Sequence, residues 1–197
     1  WTVGTDPGDP VTVGIPDVLT ALIPYTDDLM LIGGAQSLYV LKGHPNSGGV
    51  LDTVSQSIGV TSRSAWTYGP EGDVFFLSRD GVFRITPGAQ RDPVPVSRDR
   101  IPADLRDIDP QQYEISMGYD PENGGIWICC TDKNSAGNGT HFFYHLGTES
   151  FWPQSMFQGT EPYSMVLLQP TEAPGTKLLF GMDGGLVKTP SGSEGGD

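Results

Sequence analysis

The chain has 197 residues, of which 37% are hydrophobic and 18% charged, and its formal net charge is −13. Abundant glycine (27) and proline (17) favour short strands and many turns over long helices, and the aromatic content excludes a disordered chain. The net negative charge would repel the phosphate backbone of a nucleic acid, which argues against a nucleic-acid-binding protein. A local basic face is still compatible with this net charge.

The sequence predicts three parts in chain order. A leading segment (1–17) precedes a β-rich region (18–189), and a Gly/Ser-rich tail or linker follows at 190–197. Because the chain lacks an initiator Met, we expect it to be a segment of a longer or processed product. No run approaches the ~20 apolar residues of a membrane span, and we expect no signal peptide.

The β-rich region repeats one pattern four times. An apolar run, a turn and a second apolar run occur at 29–41, 74–85, 126–146 and 177–189. The equivalent positions in these segments are spaced by 44, 52 and 51 residues and are Met30, Val74, Ile126 and Lys177. Periods of roughly 40–50 residues with several strands per unit are typical of propeller blades.

Each hairpin has a forerunner, a short apolar stretch closed by a Pro/Asp/Gly turn. The forerunners lie at 20–28, 64–73, 114–125 and 164–176. Further strand-like segments follow the first three hairpins, at 51–60, 92–101 and 150–157. The sequence therefore predicts an all-β, propeller-like fold with four antiparallel blades, as part of a larger propeller or chain.

The turn between the apolar runs at 74–85 contains Asp80-Gly81 and is the kind that a tight hairpin requires. A similar turn recurs at Met182–Gly185, and the third repeat has a longer insert in this place. Because the feature recurs from repeat to repeat, we interpret it as a hairpin tip and not as a catalytic loop.

Helical content should be low, since the longest candidate helix, near 101–108, is barely two turns long. A sheet packed between two neighbouring sheets buries both of its faces, which explains continuous apolar runs. We therefore expect four strand residues of the hairpins to be buried: Phe76, Leu77, Ile128 and Leu179.

The two cysteines, Cys129 and Cys130, are adjacent on a predicted strand. Their side chains should point to opposite faces, so that one lies in the core and the other does not. We expect two buried free thiols and not a vicinal disulfide, which fits assembly in a reducing compartment.

Motifs of known chemistry are absent from the sequence. The insert after Asp132 is similar to a calcium loop at its first spacing, but Ala136 and Phe143 stand where further ligands belong. His141 and His145 face the same way on a strand without a third ligand at a usual metal spacing. The sequence predicts no enzymatic activity, no metal and no cofactor.

A carbohydrate site is the alternative that the composition leaves open. Carboxylates recur near the blade turns, and glycosidases work with paired carboxylates. The residues concerned are Asp27, Asp28, Asp73, Asp120 and Glu122. Four aromatic residues could line a sugar site, although such positions are more often core: Trp66, Tyr68, Trp127 and Trp152.

All seven arginines lie between Arg63 and Arg106. Ion pairing with nearby carboxylates explains this run, because the signs of charge alternate there. The second interpretation is an interface patch for an acidic neighbour, with candidate residues Arg91, Arg98, Arg100 and Arg106.

Four stretches, 48–85, 95–109, 113–129 and 144–153, resemble β-propeller structural proteins of tailed-phage virions. The related group includes tail nozzle and neck-stabilising proteins of short-tailed phages, and the resemblance in order and texture covers roughly 18–157. It carries no catalytic motif and transfers no site residues.

The resemblance implies a non-enzymatic virion component, assembled in the host cytoplasm, that lines or closes the DNA exit channel. Its partners would be neighbouring copies in a ring and other tail, portal or neck proteins, with DNA only in transit and no membrane. The alternative is a carbohydrate-binding or carbohydrate-cleaving propeller of a phage fibre or cell-surface protein.

Overall fold

A computed structural model of the chain describes residues 15–44, 48–86, 92–96, 101–106, 108–134, 138–156, 161–169, 175–182 and 185–188. Within these ranges the chain is nearly all β and forms four antiparallel sheets in chain order. The predicted leading segment, except its last residues, and the predicted tail lie outside the described residues.

The first two sheets have four strands each, and each follows the order of the chain. The first sheet contains β1 (Leu19–Thr26), β2 (Leu29–Gly34), β3 (Leu38–Lys42) and β4 (Val50–Ser55). The second sheet contains β5 (Trp66–Tyr68), β6 (Val74–Ser78), β7 (Gly81–Ile85) and β8 (Val94–Pro95).

The third sheet again has four strands, whereas three strands of the fourth are described. The third sheet contains β9 (Tyr113–Asp120), β10 (Gly125–Asp132), β11 (Gly139–His145) and β12 (Ser150–Gln154). The fourth contains β13 (Ser164–Leu168), β14 (Lys177–Met182) and β15 (Gly185–Lys188). One short helix, α1 (Ala103–Arg106), stands where the sequence predicted a helix of two turns.

The repeat predicted from the sequence is confirmed. The second strands of the four sheets begin at Leu29, Val74, Gly125 and Lys177, each within one residue of its predicted start. The forerunner of each hairpin forms the first strand of its sheet.

The Asp80-Gly81 turn is a hairpin tip, as predicted. Ser78 pairs with Gly81, so Arg79 and Asp80 form a two-residue loop. Gly81 has a φ of 131°, a backbone conformation that side chains disfavour. Gly185, which pairs with Met182, occupies the same place in the fourth sheet with a φ of 125°.

The first strands of the second, third and fourth sheets lie side by side. Ser64, which precedes β5, forms a parallel bridge with Ser116 of β9, and the backbone N–H of Met117 donates to the carbonyl of Ser64 at 2.9 Å. The residues of β13 contact those of β9. This arrangement is propeller-like, but the described residues do not close a ring.

Apolar side chains fill the spaces between the sheets. The largest core cluster joins residues of the first three sheets, and a second cluster joins the third sheet to the fourth. Three predicted core residues are fully buried, namely Phe76, Leu77 and Ile128. The prediction for Leu179 was wrong: it is half-buried, because it lies on the face of the fourth sheet that points away from the third.

Both cysteines are buried, and neither forms a disulfide. Cys129 packs in the cluster towards the fourth sheet, whereas Cys130 belongs to the cluster shared with the first two sheets. The prediction of opposite faces and free thiols is therefore confirmed, but the expectation that one would lie outside the core was wrong. Both faces of β10 are covered, since all eight of its residues are buried.

In the part of the chain that the structure describes, no helix has the length and apolar character required to cross a membrane.

Candidate functional site

An open pocket of about 710 Å³ lies on the face of the third sheet that points towards the fourth. Two tryptophans, one phenylalanine and four polar side chains line it: Trp127, Phe143, Trp152, Asn123, His145, Thr148 and Gln154. No described lining residue is an aspartate, glutamate, lysine or arginine.

The strand register places the three aromatic residues in a row. Trp127 on β10 pairs with Phe143 on β11, which pairs with Trp152 on β12, so all three project from the same face. The ring centroids of Trp127 and Phe143 are 5.3 Å apart. The row runs from the interior of the molecule to its edge.

The two tryptophans differ in exposure. Trp127 is 7% exposed and packs edge-to-face against Phe180 of the fourth sheet at a centroid distance of 5.2 Å. Trp152 is 56% exposed. A large apolar side chain that stays exposed to water often marks a binding surface. The exposed indole of Trp152 lies at the rim of the pocket.

The carboxylate of Asp120 fixes two of the lining residues. It is fully buried at the end of β9 and accepts hydrogen bonds from the indole N–H of Trp127 at 3.2 Å and the side-chain amide of Asn123 at 2.8 Å. It also accepts from the backbone N–H groups of Glu122 and Asn123. Asp120 therefore shapes the β9–β10 turn and the pocket.

His145 presents one ring nitrogen to the turn that follows β11. Its Nδ1 accepts a hydrogen bond from the backbone N–H of Thr148 at 3.1 Å. In the neutral ring the proton is thereby assigned to Nε2, which can donate to a ligand. Gln154 on β12 adds an amide with both a donor and an acceptor.

None of the carboxylates considered for glycosidase chemistry is among the residues that line the pocket with the exposed Trp152. Asp120 is engaged as described, and Asp73 accepts a hydrogen bond from Thr86 and pairs with Arg84 at 3.7 Å. Asp73, Glu71 and Glu149 line a separate pocket of about 200 Å³ between the second and third sheets. Trp66 is half-buried and donates its indole N–H to the carbonyl of Arg63.

The two histidines share one face of β11, as the sequence predicted, but they have separate surroundings. His141 is 3% exposed, and its Nε2 contacts the carboxylate of Glu161. Burial lowers the pKa of His141, and the contact with Glu161 opposes this shift. Among the described residues, no group of three His, Cys, Asp or Glu side chains is placed to hold a metal ion. The insert after Asp132 connects β10 to β11 as a hairpin, and its tip lies outside the described residues.

Of the four arginines predicted as an interface patch, only Arg106 lies within the described residues. It is exposed on α1 and forms no ion pair with a described carboxylate. Arg91, Arg98 and Arg100 lie outside the described residues, and their interface role stays a prediction. Further up the chain, ion pairing explains Arg63, which contacts Glu114 at 3.0 Å.

The sequence named Trp127 and Trp152 among possible sugar-lining residues, but it considered His145 only as a metal ligand and did not identify Asn123, Thr148 or Gln154. Asn123, His145 and Gln154 come from a turn and two different strands. The register of β10, β11 and β12 unites them, and the alternation within each strand is the signal that could have found them.

No family model and no curated protein matches the chain. Two similar solved structures are crystal structures of the extracellular domain of BT4673 from B. thetaiotaomicron, described as a one-component system in one and as a hybrid two-component system in the other. The TM-scores are 0.52 and 0.50, with 14% and 16% sequence identity over 90% and 87% of this chain.

The chain spans about a fifth of those structures, 21% and 20% of their lengths. At this identity the likeness shows the fold alone. The N-terminal domain of Nup159 also matches, at 9% identity over 87% of this chain and 60% of that one, but its TM-score of 0.35 is too low to bear on the fold.

Proposed function

We propose that the chain is a non-enzymatic structural module that joins neighbouring copies in a symmetric assembly, through an apolar sheet face at its end. The observation that carries this proposal is the open face of the fourth sheet, which points away from the third. Its apolar members are Val166, Leu168, Leu179 and Leu186.

Three of these four side chains are about half exposed or more. Val166 is 50% exposed, Leu168 48% and Leu186 67%. The opposite face of the same sheet carries Leu178 and Phe180, which are buried against the third sheet. An apolar face of adjacent residues left in water is characteristic of a surface that binds another protein.

The pattern of the fold indicates what covers this face. Each of the first three sheets packs an apolar face against a neighbouring sheet. The face combines one valine with three leucines, and we infer that another sheet of the same kind covers it, supplied by a second copy of the chain.

Placement of this assembly in a phage virion, as a tail nozzle or neck component, rests on the resemblance of residues 48–85, 95–109, 113–129 and 144–153. The local chemistry agrees with a non-enzymatic role, because the buried carboxylates Asp73 and Asp120 are engaged in hydrogen bonds within turns. Neither is positioned as a member of a catalytic pair beside the aromatic pocket.

Sedimentation velocity over a range of protein concentrations tests the proposal. The wild type should self-associate, and the double variant Val166→Lys/Leu186→Lys should remain monomeric, because two charges on the open face oppose its burial. Val50→Lys is the matched control, since Val50 is 56% exposed on the first sheet. A wild type that stays monomeric throughout, or a control that dissociates equally, would contradict the proposal.

A further inference from the structure

We propose that the aromatic pocket on the third sheet binds a neutral sugar, with one face of a pyranose ring stacked on Trp152. This site is separate from the open face of the fourth sheet, and it would give the module a ligand as well as neighbours.

The exposed indole of Trp152 provides the platform. Aromatic rings carry a negative face that attracts positively polarised C–H groups, and they also offer a large apolar area. A pyranose ring presents C–H groups on one face and hydroxyls around its rim. Trp152, 56% exposed at the pocket edge, is open to such a ring, whereas Trp127 is nearly covered and forms the floor.

The polar residues around this platform match the rim of a sugar. The amide of Gln154 provides a donor and an acceptor, and His145 provides an Nε2–H because its Nδ1 accepts from Thr148. Sugar hydroxyls both donate and accept, so they can satisfy each of these groups. Apolar walls with a few convergent polar groups are typical of small-molecule sites.

The charge of the site selects against other ligands. Apart from His145, the described lining residues include no acidic or basic side chain, so little compensates a charged ligand for the loss of its hydration. The net charge of −13 further opposes nucleotides and other anions. A neutral polyhydroxylated ligand is the class that remains.

The inner part of the pocket is held rigidly before any ligand binds. Asp120 anchors both Trp127 and Asn123, and Phe143 and Phe180 pack against Trp127. Rigid binding groups lose little conformational entropy on association, which favours affinity for a small ligand. The volume of about 710 Å³ lies within the range of small-molecule sites and accommodates a short oligosaccharide.

Isothermal titration calorimetry and tryptophan fluorescence with defined probes test the inference. The neutral probes are maltotriose, cellotriose and galactotriose, 3′-sialyllactose is the charged probe, and adenosine is the planar aromatic probe. We expect at least one neutral trisaccharide to bind more tightly than the charged probe and adenosine. Failure of all three neutral probes at millimolar concentration, or preference for adenosine, would overturn the proposal.

Substitutions at Trp152 test whether the sugar binds in this pocket. Trp152→Ala should weaken the best neutral probe by about tenfold or more, and Trp152→Phe should lose less. Leu22→Ala removes a similarly exposed side chain (59% exposed) from the first sheet and is the control. Because Trp152 is exposed, the variants should keep the wild-type melting temperature. Equal affinity in Trp152→Ala would place the ligand elsewhere and overturn the proposal.

The sugar proposal and the assembly proposal fail separately. Val166→Lys/Leu186→Lys changes the open face and should leave sugar affinity within about twofold of the wild type, whereas Trp152→Ala should leave self-association unchanged. A loss of sugar affinity in the open-face variant would show that the pocket needs a second copy, which would contradict the site as stated here.

Discussion

The third and fourth sheets are built on the same repeat, yet their strands lie in different environments. Five of the eight residues of β9, the first strand of the third sheet, are buried, whereas four of the five residues of β13, the first strand of the fourth, are exposed. Both strands carry apolar side chains, with Ile115 and Met117 in the third sheet and Val166 and Leu168 in the fourth. The difference lies in the neighbours, because the third sheet is covered on both faces and the described fourth sheet on one.

An apolar run in a repeat indicates that a strand is suited to burial on both faces. Whether both faces are buried depends on the presence of a neighbouring sheet on each side. Under the self-association that we propose, the exposed run of the fourth sheet is the place where a second copy would supply the next sheet.

The largest expected effect concerns a side chain enclosed between sheets. Phe76 on β6 is fully buried and stacks on Phe83 with a centroid distance of 5.9 Å. Phe76→Ala should lower the free energy of unfolding by about 3–5 kcal/mol, through lost burial and the cavity left behind. Chemical denaturation of the two proteins measures this. An unchanged midpoint would mean that the second sheet is not enclosed.

A matched pair of truncations sharpens the comparison of the third and fourth sheets. Ile128→Ala in the third sheet should cost about 2–5 kcal/mol, because Ile128 is fully buried. Leu179→Ala should cost less than half as much in the monomer, since one side of Leu179 already faces solvent. Denaturation curves of both variants decide the point, and equal losses would show that the fourth sheet is covered.

Removal of the Asp120 carboxylate should have an intermediate effect. Asp120→Ala leaves the indole N–H of Trp127 and the turn amides without their acceptor, which should cost about 1–3 kcal/mol. The variant should also weaken sugar binding, because Trp127 and Asn123 lose their anchor. Asp28→Ala in the exposed β1–β2 turn is the control for a carboxylate near a blade turn. A variant as stable as the wild type would contradict this assignment.

The stability of the folded protein should depend on pH through the contact between His141 and Glu161, which joins the third sheet to the segment before the fourth. His141 on β11 contacts Glu161, which precedes β13, and burial lowers the pKa of His141 in the folded state. The folded state therefore resists protonation, so stability is complete above the unfolded value of about 6.5 and declines as the pH falls below it.

Thermal melts of the wild type from pH 7.5 to 5 should show this decline, and His141→Gln should show a shallower one. The control histidine is His145, whose ring lies on the same strand but is only half-buried. If His145→Gln flattens the profile and His141→Gln does not, the assignment to His141 is wrong.

The smallest effect on stability is expected from the basic residues. Reversal of charge at Arg98 and Arg100 to glutamate should reduce incorporation into particles while the melting temperature stays near the wild-type value, since a positive patch would meet an acidic neighbour. Arg106→Glu, on the exposed surface of α1, extends the test to a described position. Normal particle formation by these variants would contradict an interface role.

The sequence predicted the fold well wherever local signals agree. Each apolar run was interrupted by a turn with its own chemistry, so the strand starts at Val74 and Lys177 were predicted to the residue. The predicted burial of Leu179 was wrong because the alternation of side chains along a strand does not reveal whether a further sheet covers its outer face. The expectation that one of the two cysteines would lie outside the core was wrong for the converse reason, since the fourth sheet covers Cys129.

The candidate site could be predicted only in part. Trp127 and Trp152 were recognisable as aromatics in strand-like segments, but their meeting requires the register across β10, β11 and β12. The partners that Asp120 orients depend on the turn after β9, whose side-chain hydrogen bonds leave no periodic signal.

The reactivity of the two adjacent cysteines can report on the separation of the sheets that cover the third sheet. Burial raises the pKa of Cys130 to about 12 and that of Cys129 well above its usual range, so neither thiol is a reactive thiolate in the folded protein. Cys129 becomes accessible when the fourth sheet separates, and Cys130 when the second does. The order in which a thiol reagent modifies the two neighbours therefore reports, within one dipeptide, which side of the stack opens first.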